Sequence, residues 1–149
     1  MTEPVRRSVR VRCDITHAFE VFTSRVDVWW PRGHRRFENS QMTLEALAGG
    51  RFVERSDQGE ENKLGEVLAC EPPHRISYTW YPGATDQPTH VDVRFVAEGE
   101  ETIVHIVHSE GTSGLGETWP QRSERFQRGW DLILPAYATL ASQRLTPRN

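Results

Sequence analysis

The last third of the chain constrains the fold most. Phe126, Trp130, Ile133, Leu134, Tyr137, Leu140 and Ala141 recur at steps of three and four. That spacing gathers apolar side chains into one stripe of a helix, and the stripe must be buried against something. Thr118 and Pro120 stand where a helix start is expected, since proline suits the first turn. A helix over roughly residues 118–144 is therefore predicted, kinked at Pro135, which removes a backbone donor from its interior. Its partner must offer a broad apolar face.

The middle of the chain supplies one. Ile76, Tyr78 and Trp80 alternate along Arg75 to Tyr81, Val91, Val93 and Phe95 along the next segment, and Val104, Ile106 and His108 along Thr102 to Ser109. Arg51 to Arg55 and Gly65 to Cys70 read as further strands, with the polar segment 56–63 as their hairpin connection. Ahead of them, Val9, Val11 and Cys13 alternate with Arg10 and Arg12. Asp14 can cap a helix carrying Ala18, Phe19 and Phe22, and a short second helix covers Arg25 to Trp30 before Pro31 and Gly33 stop it. The order is strand, two short helices, about six strands and one long helix. An α+β fold follows, with a curved antiparallel sheet wrapped around the C-terminal helix.

Length and composition narrow the function classes. At 149 residues the chain is read as one domain, residues 1–149. Its charge balance, 18 − 21 = −3, argues against a nucleic-acid partner. The longest charge-free apolar stretch, residues 132–143, contains Pro135 and falls short of the roughly 20 residues of a membrane span. The N-terminus lacks the apolar core of a signal peptide. Cys13 and Cys70 cannot form a disulfide framework and read as buried small hydrophobes of a reducing cytosol. Lys63 is the one lysine against 17 arginines, which suggests a GC-rich bacterial genome. Only 36% of residues are apolar, yet there are five Trp, six Phe and three Tyr. Rings of that size either build a core or wall a pocket.

More specific segments follow one another in order: Trp29-Trp30-Pro31, Leu44-Glu45, Gly49-Gly50-Arg51-Phe52-Val53-Glu54, Gly65-Glu66-Val67-Leu68 and Glu71-Pro72-Pro73-His74-Arg75-Ile76. Thr79-Trp80, Val91-Asp92-Val93-Arg94-Phe95, Thr102-Ile103-Val104, His108-Ser109 and Gly129-Trp130 complete the series. Over about residues 5–145 the chain resembles the activator of Hsp90 ATPase homologue 1-like family of the START/Bet v 1-like (SRPBCC) superfamily. The resemblance implies a helix-grip fold with a cavity between sheet and helix. Relatives bind lipids, sterols, hormones or polyketides, act as aromatases or cyclases, sequester reactive antibiotics, or assist Hsp90 in stress responses. The eukaryotic co-chaperone carries an additional N-terminal domain for which this chain has no room.

The implied cavity is expected to be lined by Trp30, Tyr78, Trp80, Val93, Phe95, Ile106, His108, Phe126, Trp130, Ile133, Leu134 and Tyr137. The alternative for these residues is plain packing. His108 reads either as a satisfied core histidine or as a polar anchor or general acid–base for a ligand. His105 and His108 lie three apart on a strand and face opposite ways, so no metal site is expected, nor any cofactor. Of Trp29 and Trp30, one is expected to pack inward and the other to be partly exposed. Residues 32–36, Arg-Gly-His-Arg-Arg, read as a solvated loop or as an entrance for an anionic ligand. Glu45 and Glu54 are structural or, less simply, inward catalytic acids. The glycine-rich segment 111–116 reads as a mobile loop or lid. The leading expectation is a cytosolic binding protein, monomeric or dimeric, for a small apolar, aromatic or polyketide-like ligand. A cyclase, aromatase or hydrolase using the same cavity is the alternative, and a chaperone-related interaction module the third reading.

Overall fold

The computed structural model describes residues 3–81, 88–111 and 116–143. Strand β1 (Val5–Val11) leads into helices α1 (Ile15–Ser24) and α2 (Val26–Trp29) and a 3-10 turn, Arg32–His34. Strands β2 (Ser40–Leu44), β3 (Arg51–Ser56), β4 (Glu61–Glu71), β5 (Arg75–Trp80), β6 (Thr89–Glu98) and β7 (Glu101–Ser109) follow. After a second 3-10 turn, Gly116–Thr118, the chain ends its described part in helix α3 (Trp119–Ala141). The strands form one antiparallel sheet in the order β1-β7-β6-β5-β4-β3-β2. The sheet curls around α3 as the periodicity predicts.

Helix α1 starts where Asp14 accepts the His17 amide at 2.8 Å, a side-chain cap for an otherwise orphaned donor. Helix α3 runs as one element through Pro135. Two details of the strands differ from the sequence reading. Residues 40–44, not assigned to a strand there, form the edge strand β2, and the β3–β4 hairpin is tighter than 56–63 because β4 already begins at Glu61. Both cysteines are free, but half-buried rather than buried. Burial and Asp14 push the Cys13 thiol up to about 11.

The apolar faces meet in one core, which the C-terminal half of α3 enters through Tyr137. Phe22 lies 5.2 Å from both Trp29 and Tyr137 and 5.8 Å from Phe95, ring centre to ring centre. Most of these contacts are edge-to-face, the favoured geometry for ring quadrupoles. The Tyr137 hydroxyl donates to Ala18 O at 2.7 Å, fixing α3 against α1. Trp29 and Trp30 are both only 4% exposed, which corrects the expectation that one of them reaches solvent. Each indole finds an acceptor, Trp29 at Val21 O (2.8 Å) and Trp30 at His34 O (3.2 Å).

In the basic run 32–36, Arg32, Gly33, His34 and Arg36 are exposed, as the solvated-loop reading expects, but Arg35 turns inward. The Arg35 side chain is 1% exposed and pairs with Asp27 at 2.8 Å. It also donates to Asp27 O, Trp30 O and Ser40 O. Asp27 in turn accepts the Met42 amide, so two outward groups of edge strand β2, Ser40 O and Met42 N–H, are capped by side chains from residues 27–35 rather than left to pair with another chain. Glu54, 1% exposed, accepts the amides of Arg36 and Phe37 at 3.0 and 2.8 Å, which makes it a clamp on the loop. Glu45 has a similar local duty, accepting the Arg51 amide at 2.8 Å. Replacing Arg35 with Met keeps the aliphatic stem but strips four acceptors of a buried cation. The expected loss is about 3 kcal/mol of unfolding free energy, measured by urea titration. A loss below about 1 kcal/mol would mean that the guanidinium is replaceable there.

Candidate functional site

The sheet and α3 close tightly at the Tyr137 end and part at the other. There, the ends of β5 and β7, the turn after α2 and the N-terminal half of α3 surround a pocket of about 450 Å³. Trp30 and Trp80 form one wall, with ring centres 5.7 Å apart. His108, Phe126, Trp130 and Ile133 form the facing side, and His34, Arg125, Arg128, Gly129 and Leu132 the mouth. Leu132 is 61% exposed at the lip.

Helix geometry explains the second wall. Phe126, Trp130 and Ile133 lie one turn apart on the face that meets the sheet, so their side chains stack along the pocket. Trp80 ends β5 two residues beyond Tyr78 on the same inward face, at the point where α3 no longer covers the sheet. It is consequently half-buried.

His108 sits at the base, 2% exposed. The Trp130 indole N–H, which can only donate, gives its hydrogen to His108 Nδ1 at 3.1 Å. Nδ1 is therefore the acceptor, and Nε2 carries the proton and donates to Thr89 Oγ1 at 2.8 Å. Thr89 passes its own hydrogen to Trp80 O at 3.0 Å. Phe126 stacks on the imidazole with ring centres 4.2 Å apart. Both nitrogens are committed, so a ligand contact through His108, one of the expectations above, has no free atom to use. Desolvation, with a smaller contribution from His90, lowers its pKa from 6.5 to about 3. Its bonding is that of a satisfied core histidine, although the ring also borders the pocket.

The expected cavity residues thus divide. Trp30, Trp80, His108, Phe126, Trp130 and Ile133 line the pocket. Tyr78, Val93, Phe95, Ile106, Leu134 and Tyr137 are buried in the core beside it. Tyr78 is fully buried with no partner for its hydroxyl among the described residues, and burial raises the phenol pKa. His34 falls in the run 32–36 read as a possible entrance, whereas Arg125, Arg128, Gly129 and Leu132 were not among the expected site residues. Their signal was present: residues 125, 128, 129 and 132 step along the border of the apolar stripe at helical spacing. A second hollow, of about 550 Å³, lies at the β2 edge. It is polar, and its Arg32 and Arg55 are already engaged by Ser40 O and Glu61. His105 points away from His108 and contacts Ser8 Oγ at 2.8 Å. The lid reading of 111–116 falls largely on residues outside those described.

Residues 12–140 match the family described as activator of Hsp90 ATPase homolog 1-like protein. The chain belongs to that family. Its fold is shared with solved structures of the same helix-grip type. One is the anthrahydroquino-gamma-pyrone synthase Txn09 complexed with SUM, at 29% identity and a TM-score of 0.62, covering 93% of this chain and 97% of the other. CalU16 from Micromonospora echinospora is 18% identical with a TM-score of 0.64, covering 95% and 77%. The Aha1 dimer from Colwellia psychrerythraea is 10% identical with a TM-score of 0.67, covering 95% and 97%. Among curated proteins none matches. No helix among the described residues is long and apolar enough to cross a membrane.

The tautomer and the pKa direction of His108 give a pH prediction. The folded state holds the ring neutral down to about 3, while the unfolded chain takes up a proton below about 6.5. The stabilisation from burying the neutral ring is complete above pH 6.5 and drains away as pH falls toward 3. Between pH 7 and 5 the advantage of the native protein over a His108→Gln variant should shrink by about 2 kcal/mol. Imidazole NMR should show a neutral, Nε2-protonated ring throughout that range. A ring titrating near 6.5 would contradict the assignment.

Proposed function

We propose that this protein is a cytosolic binding protein for a planar, largely apolar ligand, aromatic or polyketide-like, held in the pocket beside α3. The observation that carries this reading is the pairing of an open volume of about 450 Å³ with walls made of Trp30, Trp80, Phe126 and Trp130. That volume lies in the ordinary range for small-molecule sites, and flat rings are the natural complement of flat walls. Of the five indole N–H groups, those of Trp29, Trp30, Trp119 and Trp130 are donated within the protein. That of Trp80 has no acceptor among the described residues, and it suits a carbonyl or quinone oxygen on the ligand.

Identity of 29% to Txn09, whose name describes a synthase, favours a second reading in which the pocket folds and cyclises a polyketide-like chain. Both His108 nitrogens are already bonded within the protein, which speaks against it as the acid–base of such a reaction. Catalysis would then come from holding reacting atoms in place. The likeness to the Aha1 dimer extends to the fold alone.

Titrating the protein with a panel of aromatic and acyl compounds should quench tryptophan fluorescence for the planar members. Trp80→Ala should weaken that binding by about 1–3 kcal/mol, the loss of one large apolar contact. Because Trp80 is half-buried, the variant should still melt cooperatively. Quenching by no compound, together with a collapsed melting transition in the variant, would show that these rings are closed core. Conversion of a linear polyketide mimic to a cyclic product would select the second reading.

A further inference from the structure

We propose that the ligand carries a carboxylate, received at the pocket mouth by Arg125 with Arg128 beside it. This rests on the binding reading above and adds the charge of the molecule bound. The pocket lining includes two arginines and no aspartate or glutamate, in a chain whose net charge is −3. Arg125 makes no ion pair among the described residues. Arg128 reaches only Glu124, at 3.9 Å, with both side chains about two-thirds exposed. Neither guanidinium is held by the fold as Arg35 is.

Beside them, Gly129 leaves the mouth open. A Cβ built there meets nothing within 4 Å, so the space beside the two arginines is empty rather than packed. Glycine weakens a helix interior, and here one stands at the rim of an apolar pocket. The arrangement is an apolar, ring-lined pocket with a cationic outer end. A ring system bearing a carboxylate at one end fits it: rings against the indoles, carboxylate in the guanidinium fork.

The test compares anthraquinone-2-carboxylate with anthraquinone-2-carboxamide, two probes of one shape, by fluorescence titration of the native protein and of Arg125→Gln. The carboxylate should bind about fivefold more tightly at low salt. That preference should fade at high salt and fall to near one in Arg125→Gln. Gly129→Leu, which fills the mouth without touching the charges, should weaken both probes. Equal affinities in the native protein, or a preference that survives Arg125→Gln and Arg128→Gln together, would overturn the carboxylate while leaving the pocket reading standing. Binding of neither probe would remove the pocket reading itself, and this inference with it.

Discussion

One hydrogen bond holds the pocket in shape: the Trp130 indole to His108 Nδ1, at 3.1 Å. It joins α3 to β7 where the two elements begin to part, and its direction sets everything behind it. Because the indole can only donate, the imidazole must donate to Thr89, and Thr89 to the backbone of Trp80. Two pocket walls are thus linked through three buried side-chain groups. Losing any link would strand a buried polar atom at a cost of about 1–3 kcal/mol. Walls fixed in advance need little ordering when a ligand arrives, which favours affinity.

The same helix serves stability and function at different ends. Around Tyr137 its side chains interlock with Phe22 and Trp29, and the hydroxyl bonds to α1. Around Trp130 the sheet ends diverge and the space is left open. A fold anchored firmly at one end can tolerate a hollow at the other. The segment after α2 closes one side of that hollow, and its own position depends on Arg35 and Glu54, two buried charges with no part in the pocket lining.

What was legible in the sequence was whatever burial imposes as a period. The spacing from Phe126 to Ala141 located α3, and the alternations through Tyr78, Val93 and Ile106 placed those residues inward. Edge strand β2 was harder to see, because Ser40, Met42 and Thr43 carry a weak strand pattern and the strand owes its place to Asp27 and Arg35. The run of residues 32–36 looked solvated because composition does not reveal that one guanidinium turns back under α2. Periodicity placed His108 inward, but whether its nitrogens were free depended on the rotamer of Trp130 and on Thr89, which lie 22 and 19 positions from it along the chain and meet it only in the fold. The split of the expected cavity into pocket and core had the same origin: it depends on where the curved sheet leaves the helix, which no local pattern encodes.

A crystal structure of the protein grown with anthraquinone-2-carboxylate tests the central claim most directly. The account predicts ring density within about 4 Å of Trp30, Trp80 and Trp130, with the Trp130–His108 bond intact. Ring density elsewhere on the surface, or rings of Trp30 and Trp80 collapsed across an empty pocket, would contradict it.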